Sequence, residues 1–413
     1  MHGAWVRALG ALVWAGSAAC GAQPVEFGGQ VRLQWTDQHA ATTGPLAQAN
    51  TLQSRLVAEP DSGATLESEL RARGHGVTAV ATLQQHVWQS RTSEGKAWVN
   101  ELYGSHDGGA WQFSAGKKIV SWDVGNGFRP NDMVQQEERR TLVTTTPEGR
   151  PVLMGEYFGA DTAWSMVAVN PTGTQSDRGP AEPALAVRAY LRQGAADWHA
   201  FARVGKRTGG SVGMALAWVA SDALELHSSM RYYRRIDTWA IDPQASGLVA
   251  GNPWQARTGH DVRQLVVGGT WTHASQVSLL AEAWWDGTAA SDAQWNAWAQ
   301  RNAQLSALAA LGAPAAAVAG NLAWQAEAFS VSPSLRRSNV LLRLSWQNGA
   351  WAPALDVLYT PADQGHVVTG SLIWQGDRVQ LQGGVRVYGG PANAVMAQLH
   401  NRQTAYVATT WSF

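Results

Sequence analysis

Hydrophobic and polar positions alternate along most of this chain. In VEFGGQVRLQW, Phe27, Val31, Leu33 and Trp35 alternate with Glu26, Gln30, Arg32 and Gln34. In RVQLQGGVRVY, Val379, Leu381, Val385 and Val387 alternate with Gln380, Gln382 and Arg386. In NVLLRLSWQNGAWAPALDVLY, Val340, Leu342, Leu344 and Trp346 face one way, and Arg343 and Ser345 the other. Gln347 to Ala350 then turns the chain, and Trp351, Leu355, Val357 and Tyr359 resume the apolar face. A period of two is the strand period. No stretch after the first residues reaches the ~18 apolar residues of a membrane helix.

The pattern predicts 18 strands, near 25–36, 64–73, 77–88, 97–106, 110–118, 151–158, 163–170, 183–193, 197–206, 211–219, 223–235, 259–272, 276–286, 334–346, 351–360, 366–375, 378–388 and 401–413. Thr51 to Glu59 also alternates, so the range is 16–20. Alternation alone fits a soluble sandwich as well as a membrane barrel. Link length separates them, because membrane barrels have short turns at one end and longer loops at the other. Tight turns are predicted at 74–76, 107–109, 159–162, 194–196, 220–222, 273–275, 347–350 and 376–377. They alternate with longer links, of which 119–150 and 287–333 are prominent and 207–210 is a short exception. The even count brings both chain ends to the tight-turn side.

Tryptophan strengthens the barrel. It occurs 22 times, far above its ordinary share, and it suits positions half in oil and half in water. Trp111, Trp164, Trp198, Trp218, Trp271, Trp346, Trp351, Trp374 and Trp411 fall near tight turns or the C-terminus. Trp35, Trp88, Trp98, Trp284 and Trp285 fall at the other strand ends. Two membrane interfaces would call for two such bands. Charged residues are only 15%, against about 25% in soluble proteins. The formal net charge is zero, which argues against a nucleic-acid binder.

The closing segment TAYVATTWSF places Ala405, Val407, Thr409, Trp411 and Phe413 on one face. With its alternation and terminal Phe413, the chain resembles Gram-negative outer-membrane β-barrels. Thr409 is a mild departure from their alternation of aromatic or apolar residues. The resemblance implies that Trp411 and Phe413 are an assembly signal read by the barrel-assembly machinery, and that the chain lies among outer-membrane lipid. The expected fold is an all-β, antiparallel transmembrane β-barrel with one helix in a long extracellular loop. Residues 1–22 read as a secretory signal peptide, with Arg7 ahead of apolar Ala8 to Gly16 and small residues to Ala22. The barrel would be residues 23–413. Cys20, the single cysteine, would be removed with the leader unless it carries a lipid.

The densest constellation is GKKIVSWDVGNGFRPNDMVQQEERR, with Lys117, Lys118, Trp122, Asp123, Arg129 and Asp132. A link of this length with balanced charges can fold inward as a constriction or stay outside as a salt-bridged surface loop. Trp122, Gly125, Gly127, Pro130 and Asp132 loosely match a lumen segment of alginate-export-type 18-stranded porins, which this stretch resembles. Inward faces carry Arg188, Arg203, Arg231, Arg343 and Arg386, against Glu67, Glu69, Glu225 and Asp356. A charge facing lipid costs about 2–4 kcal/mol at the midplane, so these must line the lumen. A solvated wall tolerates them, and an arginine ladder also guides anions. Lysine occurs only at 96, 117, 118 and 206, which codon bias also explains.

SDAQWNAWAQRNAQLSALAALG predicts a helix in 287–333, with Ser291 and Gln294 as a capping box and Gly312 and Pro314 as its end. It would pack over the barrel mouth, or serve as a lid or partner site. Gly209 to Gly213, GGSVG, matches a nucleophile elbow but lacks the strand-turn-helix context. The 11 histidines are scattered without metal spacing. The sequence therefore points to a channel for passive passage of a hydrophilic, anionic solute or polymer, without cofactor or metal and not an enzyme. The alternative is a non-conducting barrel acting as scaffold, assembly partner or surface receptor.

Overall fold

A computed structural model describes residues 25–135, 141–171, 182–242, 245, 247–330 and 332–413. The predicted leader and residues 136–140 of the 119–150 link lie outside them. Eighteen strands form: β1 Glu26–Ala40, β2 Gly63–Gly74, β3 Val77–Trp88, β4 Glu94–Asp107, β5 Trp111–Lys118 and β6 Arg150–Phe158. β7 Thr162–Val169, β8 Ala184–Gln193, β9 Ala196–Gly205, β10 Gly209–Ser221, β11 Leu224–Ile241 and β12 Trp254–Thr272 follow. β13 Val277–Asp286, β14 Ser338–Trp346, β15 Trp351–Thr360, β16 Gly365–Gln375, β17 Val379–Gly389 and β18 Asn401–Ser412 complete the set.

Each strand pairs antiparallel with the next, and β18 pairs with β1 from Ala40↔Asn401 to Gln30↔Ser412. The sheet is a closed barrel. At the seam, the Phe413 backbone exchanges two hydrogen bonds with Gly29, at 3.0 and 3.1 Å. Closure removes the unpaired edge that a membrane cannot solvate.

Alternation sorts the side chains. Leu33, Leu66, Leu83, Leu153, Val212, Leu265, Leu344 and Val407 are exposed on the outer surface. Arg32, Glu67, Thr82, Ser165, Arg203, Ser229, Glu282 and Thr410 are buried on the inner one. An outer surface so apolar is stable only in a bilayer. On β18 and just past its end, Val407, Trp411 and Phe413 are exposed while Tyr406, Ala408 and Thr410 are buried.

Three expectations need correction. The tight-turn tryptophan band forms on the outside, with Trp111, Trp164, Trp198, Trp218, Trp271, Trp346, Trp351 and Trp411 exposed. At the other rim only Trp35 and Trp285 are exposed on the outer face. Trp284 is buried inside, because neighbours on a strand point to opposite faces. Trp88 and Trp98 share the inward register of Thr82, Trp98 directly opposite it and Trp88 three pairs along on β3. Second, β11 and β12 run on as a paired ribbon from Asp237↔Thr258 to Ile241↔Trp254, where a loop at 236–258 was expected. Trp239, Ile241 and Trp254 pack there against Trp295 and Trp298, which holds the ribbon upright.

Third, the described residues of the long links carry three α-helices: α1 Pro45–Leu52, α2 Asp292–Ala310 and α3 Ala315–Ala323. The expected helix is α2, and its Ser291/Gln294 capping box is present. α1 and α3 are additional. Ala49, Leu305, Val318 and Leu322 form the core between them. The Ser306 hydroxyl donates to Gln48 Oε1 at 2.7 Å. The β1–β2 and β13–β14 links thus meet at the long-link rim as a small helical roof.

Candidate functional site: the lumen and its inward link

The link between β5 and β6 enters the barrel. Val120, Trp122, Met133 and Val134 pack against Val152, Met154, Val167, Ala186, Phe201 and Ala215 on the inner wall of β6 to β10. Phe128 reaches the far wall, in a cluster with Val266, Trp284, Leu341 and Leu358. Its ring stacks on Trp284 with centroids 5.6 Å apart. Val143 packs on Tyr406 and Ala408 of β18. These contacts lie on opposite sides of the barrel, so the link crosses the lumen.

Its charges hold its own shape. The Asp123 carboxylate accepts from the backbone N–H of Asn131 at 2.5 Å and of Val124 at 2.8 Å. Asp132 accepts from the Ser121 hydroxyl at 3.0 Å and the Trp122 N–H at 3.3 Å. Arg129 donates to the carbonyls of Gly125 at 2.9 Å and Asp123 at 2.7 Å, and to the Ser121 hydroxyl. Lys117 pairs with Glu148 at the base of the link. Lys118 donates to Ser114 at 3.2 Å and lies 3.9 Å from Glu156. Trp122 lies against Phe201. The constellation that looked chemical in sequence is therefore largely internal scaffolding of the link.

Wall residues that the sequence did not single out fix it in place. Asn131 is fully buried, and its amide donates to Ser229 Oγ at 2.8 Å and to the carbonyls of Met230 and Met214 at 3.0 and 3.2 Å. Gly213 makes room: a Cβ there would lie 1.9 Å from the Asn131 side-chain oxygen. That glycine belongs to GGSVG, so the motif serves a packing role. On the far wall, Glu282 of β13 accepts from the N–H groups of Asn126 and Gly127, both at 2.6 Å, and sits 2.8 Å from His227 Nε2. The inward register of His227 and Glu282 was legible; their meeting was not.

The predicted arginine ladder divides. Arg231 donates to the Pro130 carbonyl at 3.0 Å and to Ser211 at 2.9 Å, so it clamps the link. Arg203 pairs with Glu182 at 3.2 Å and with the Thr208 hydroxyl at 2.9 Å, bracing the β7–β8 and β9–β10 links. Arg188 lies over the Tyr190 ring, 5.8 Å from its centroid. On β1 and β2, Arg32 pairs with Glu67 at 3.0 Å and Arg71 with Glu69 at 2.6 Å.

Arg343 and Arg386 stay with open space. A cavity of about 660 Å³ lies between the inward link and the β13–β18 wall. In strand register, Arg343, Asp356, Thr369 and Arg386 form one row across β14 to β17. Arg343 donates to Asp356 at 3.2 Å and Arg386 to Thr369 Oγ1 at 2.9 Å. The row towards the long-link rim is Leu341, Leu358, Val367 and Tyr388. Val367, Thr369, Ser371 and Ile373 all line the cavity, so it follows β16 for about 20 Å of strand. Gln380, Gln382 and Tyr406 continue the polar lining. Among the described residues, no group of three or more His, Cys, Asp or Glu side chains is arranged to hold a metal.

No family profile matches this chain, and no curated protein matches it in sequence. Solved structures do. Pseudomonas aeruginosa OccK5 (OpdH) matches with a TM-score of 0.54 and 7% identity, over 94% of this chain and 98% of that one. A triple mutant of the Rhodopseudomonas blastica porin matches with a TM-score of 0.43 and 11% identity, over 94% of this chain and 100% of that one. The closed 18-strand antiparallel sheet, its apolar outer belt and the likeness to OccK5 together give one conclusion: this chain has the fold of a porin-like outer-membrane β-barrel.

Proposed function

We propose that the protein is an outer-membrane channel through which a small, hydrophilic, anionic solute diffuses passively. The observation that carries this is the cavity beside the inward link. It follows β16 for about 20 Å and is lined at mid-height by Arg343, Asp356, Thr369 and Arg386. Two guanidinium groups face one carboxylate in that row, an excess of one positive charge on the cavity wall. Fixed charge in a narrow passage raises the local concentration of counter-ions. The buried arginines, Arg203 and Arg231, contribute to architecture, and Arg188 is more remote from the cavity.

The test is single-channel recording of the refolded barrel in a salt gradient. The expected result is an anion-favouring reversal potential that shifts towards cations in Arg343→Ala and Arg386→Ala. A cation-favouring reversal in the native protein, or no shift in either variant, would overturn the selectivity. Absence of any conductance would instead favour a non-conducting scaffold or receptor, for which the two-wall anchoring of the link and the helical roof are the supporting observations.

A further inference from the structure

The outer surface carries a second charged feature, remote from the lumen. Along β9 to β12, the apolar belt ends towards the long-link rim with Val204, Val212, Met230 and Leu265 exposed. Beyond them, Arg263 is the next outward position on β12, Arg234 follows Tyr232 on the outward face of β11, and Lys206 lies just past the end of β9; all three are exposed. Tyr232 faces outward opposite Arg263, and its hydroxyl donates to Asp261, the one carboxylate of the group. Among the described residues, none of Lys206, Arg234 and Arg263 makes an ion pair or side-chain hydrogen bond. Beside them, Arg337 lies over Trp285 of the belt, 5.8 Å from the ring centroid. β10 presents Gly210 opposite Val204 of β9, and a Cβ there would meet nothing within 4 Å. The result is an open position without a side chain on the same stretch of wall as these cations. On β1, by contrast, the outward positions beyond Trp35 are Asp37 and His39, 3.2 Å apart, with no excess of positive charge.

Unpaired cations immediately beyond an apolar belt lie at headgroup depth, where each Lys or Arg adds about 1 kcal/mol of attraction to anionic lipid. Arginine forks suit phosphate oxygens. A soluble anion has no reason to settle on a surface whose lower half is hydrocarbon. We propose that Lys206, Arg234 and Arg263 bind the phosphate group of an anionic lipid in the leaflet at the long-link rim, with the acyl chains lying on Val204, Val212, Met230 and Leu265.

The experiment uses the full-length barrel purified in neutral detergent, with native mass spectrometry and titration against three probes: lipopolysaccharide, its enzymatically dephosphorylated form, and inorganic phosphate. The expected result is a stoichiometric lipopolysaccharide adduct, roughly tenfold or more weaker in the Arg234→Ala/Arg263→Ala double variant. It should be restored in part in Arg234→Lys/Arg263→Lys, which keep the charge but not the fork, absent with the dephosphorylated lipid, and not displaced by millimolar phosphate. Single-channel conductance should match the native protein in both double variants, which shows that they fold. Equal retention by the alanine variant or of the dephosphorylated lipid would overturn the proposal. Displacement by millimolar phosphate would also overturn it, by making the site one for a free anion.

Discussion

At the scale of single residues, the lumen is organised by a few groups placed where the opposite chemistry would fail. Gly213 is one. Its missing side chain admits Asn131, whose amide satisfies three wall acceptors. In Gly213→Ala the new methyl would overlap both the Asn131 oxygen and, at 2.7 Å, the Met230 carbonyl. Unseating a buried amide costs roughly 1–3 kcal/mol. The expected outcome is a folded barrel with larger, noisier conductance, read in planar bilayers. Glu182 is another. Burial pushes its carboxyl up, but donors from the Thr208 hydroxyl, the Arg207 and Thr208 N–H groups and the Arg203 guanidinium outweigh this and hold it below the usual carboxylate range. A lowered folded value gives stability that is present at neutral pH and is lost as pH falls through that value. Native protein should therefore be more thermostable than Glu182→Gln at pH 7, with the gap closing below roughly pH 4, measured by unfolding temperature across pH.

At the scale of elements, the inward link fills part of the lumen. It is held to the β6–β10 wall by apolar packing, to β13 by Glu282 and to β18 by Val143. Removing residues 121–138 deletes no strand and leaves the wall pairings intact. The expected outcome is a severalfold rise in single-channel conductance with weaker ion selectivity. Unchanged conductance would mean that the path does not run beside the link. The alternation of β1 to β18 was legible because each strand shows one face to hydrocarbon and one to the lumen. The internal fold of the link was not, because Asp123, Arg129 and Asp132 bond mainly to backbone groups, and sequence spacing does not encode such partners.

At the scale of the whole molecule, closure is the cooperative event. Every strand has two partners only once β18 meets β1. Phe413 lies at that seam: it adds two backbone hydrogen bonds to Gly29, and its ring packs on Trp411 with centroids 5.0 Å apart. Deleting Phe413 should lower the yield of heat-resistant folded barrel on a gel and leave the conductance of the molecules that do fold unchanged. Normal yield would show that the remaining β1–β18 register suffices. The helical roof belongs to this scale too. It joins two links that are far apart in sequence through Ser306 and Gln48, and through the Leu305, Val318 and Leu322 core.

The sequence by itself determined the strand number, the position of nearly every turn, the inward and outward faces, and the capped helix α2. These follow from local rules: period two, turn chemistry and capping depend on residues a few positions apart. It also established which charges are inside, because lipid rejects them on the other face. The tertiary structure alone decided what those charges do. Arg203, Arg231, Arg343 and Arg386 look alike in sequence. Their partners, Glu182, the Pro130 carbonyl, Asp356 and Thr369, are set by which strands close beside one another and by where the link crosses. Two of the four became framework and two line the cavity, because a buried cation must find acceptors at fixed positions while one beside water need not.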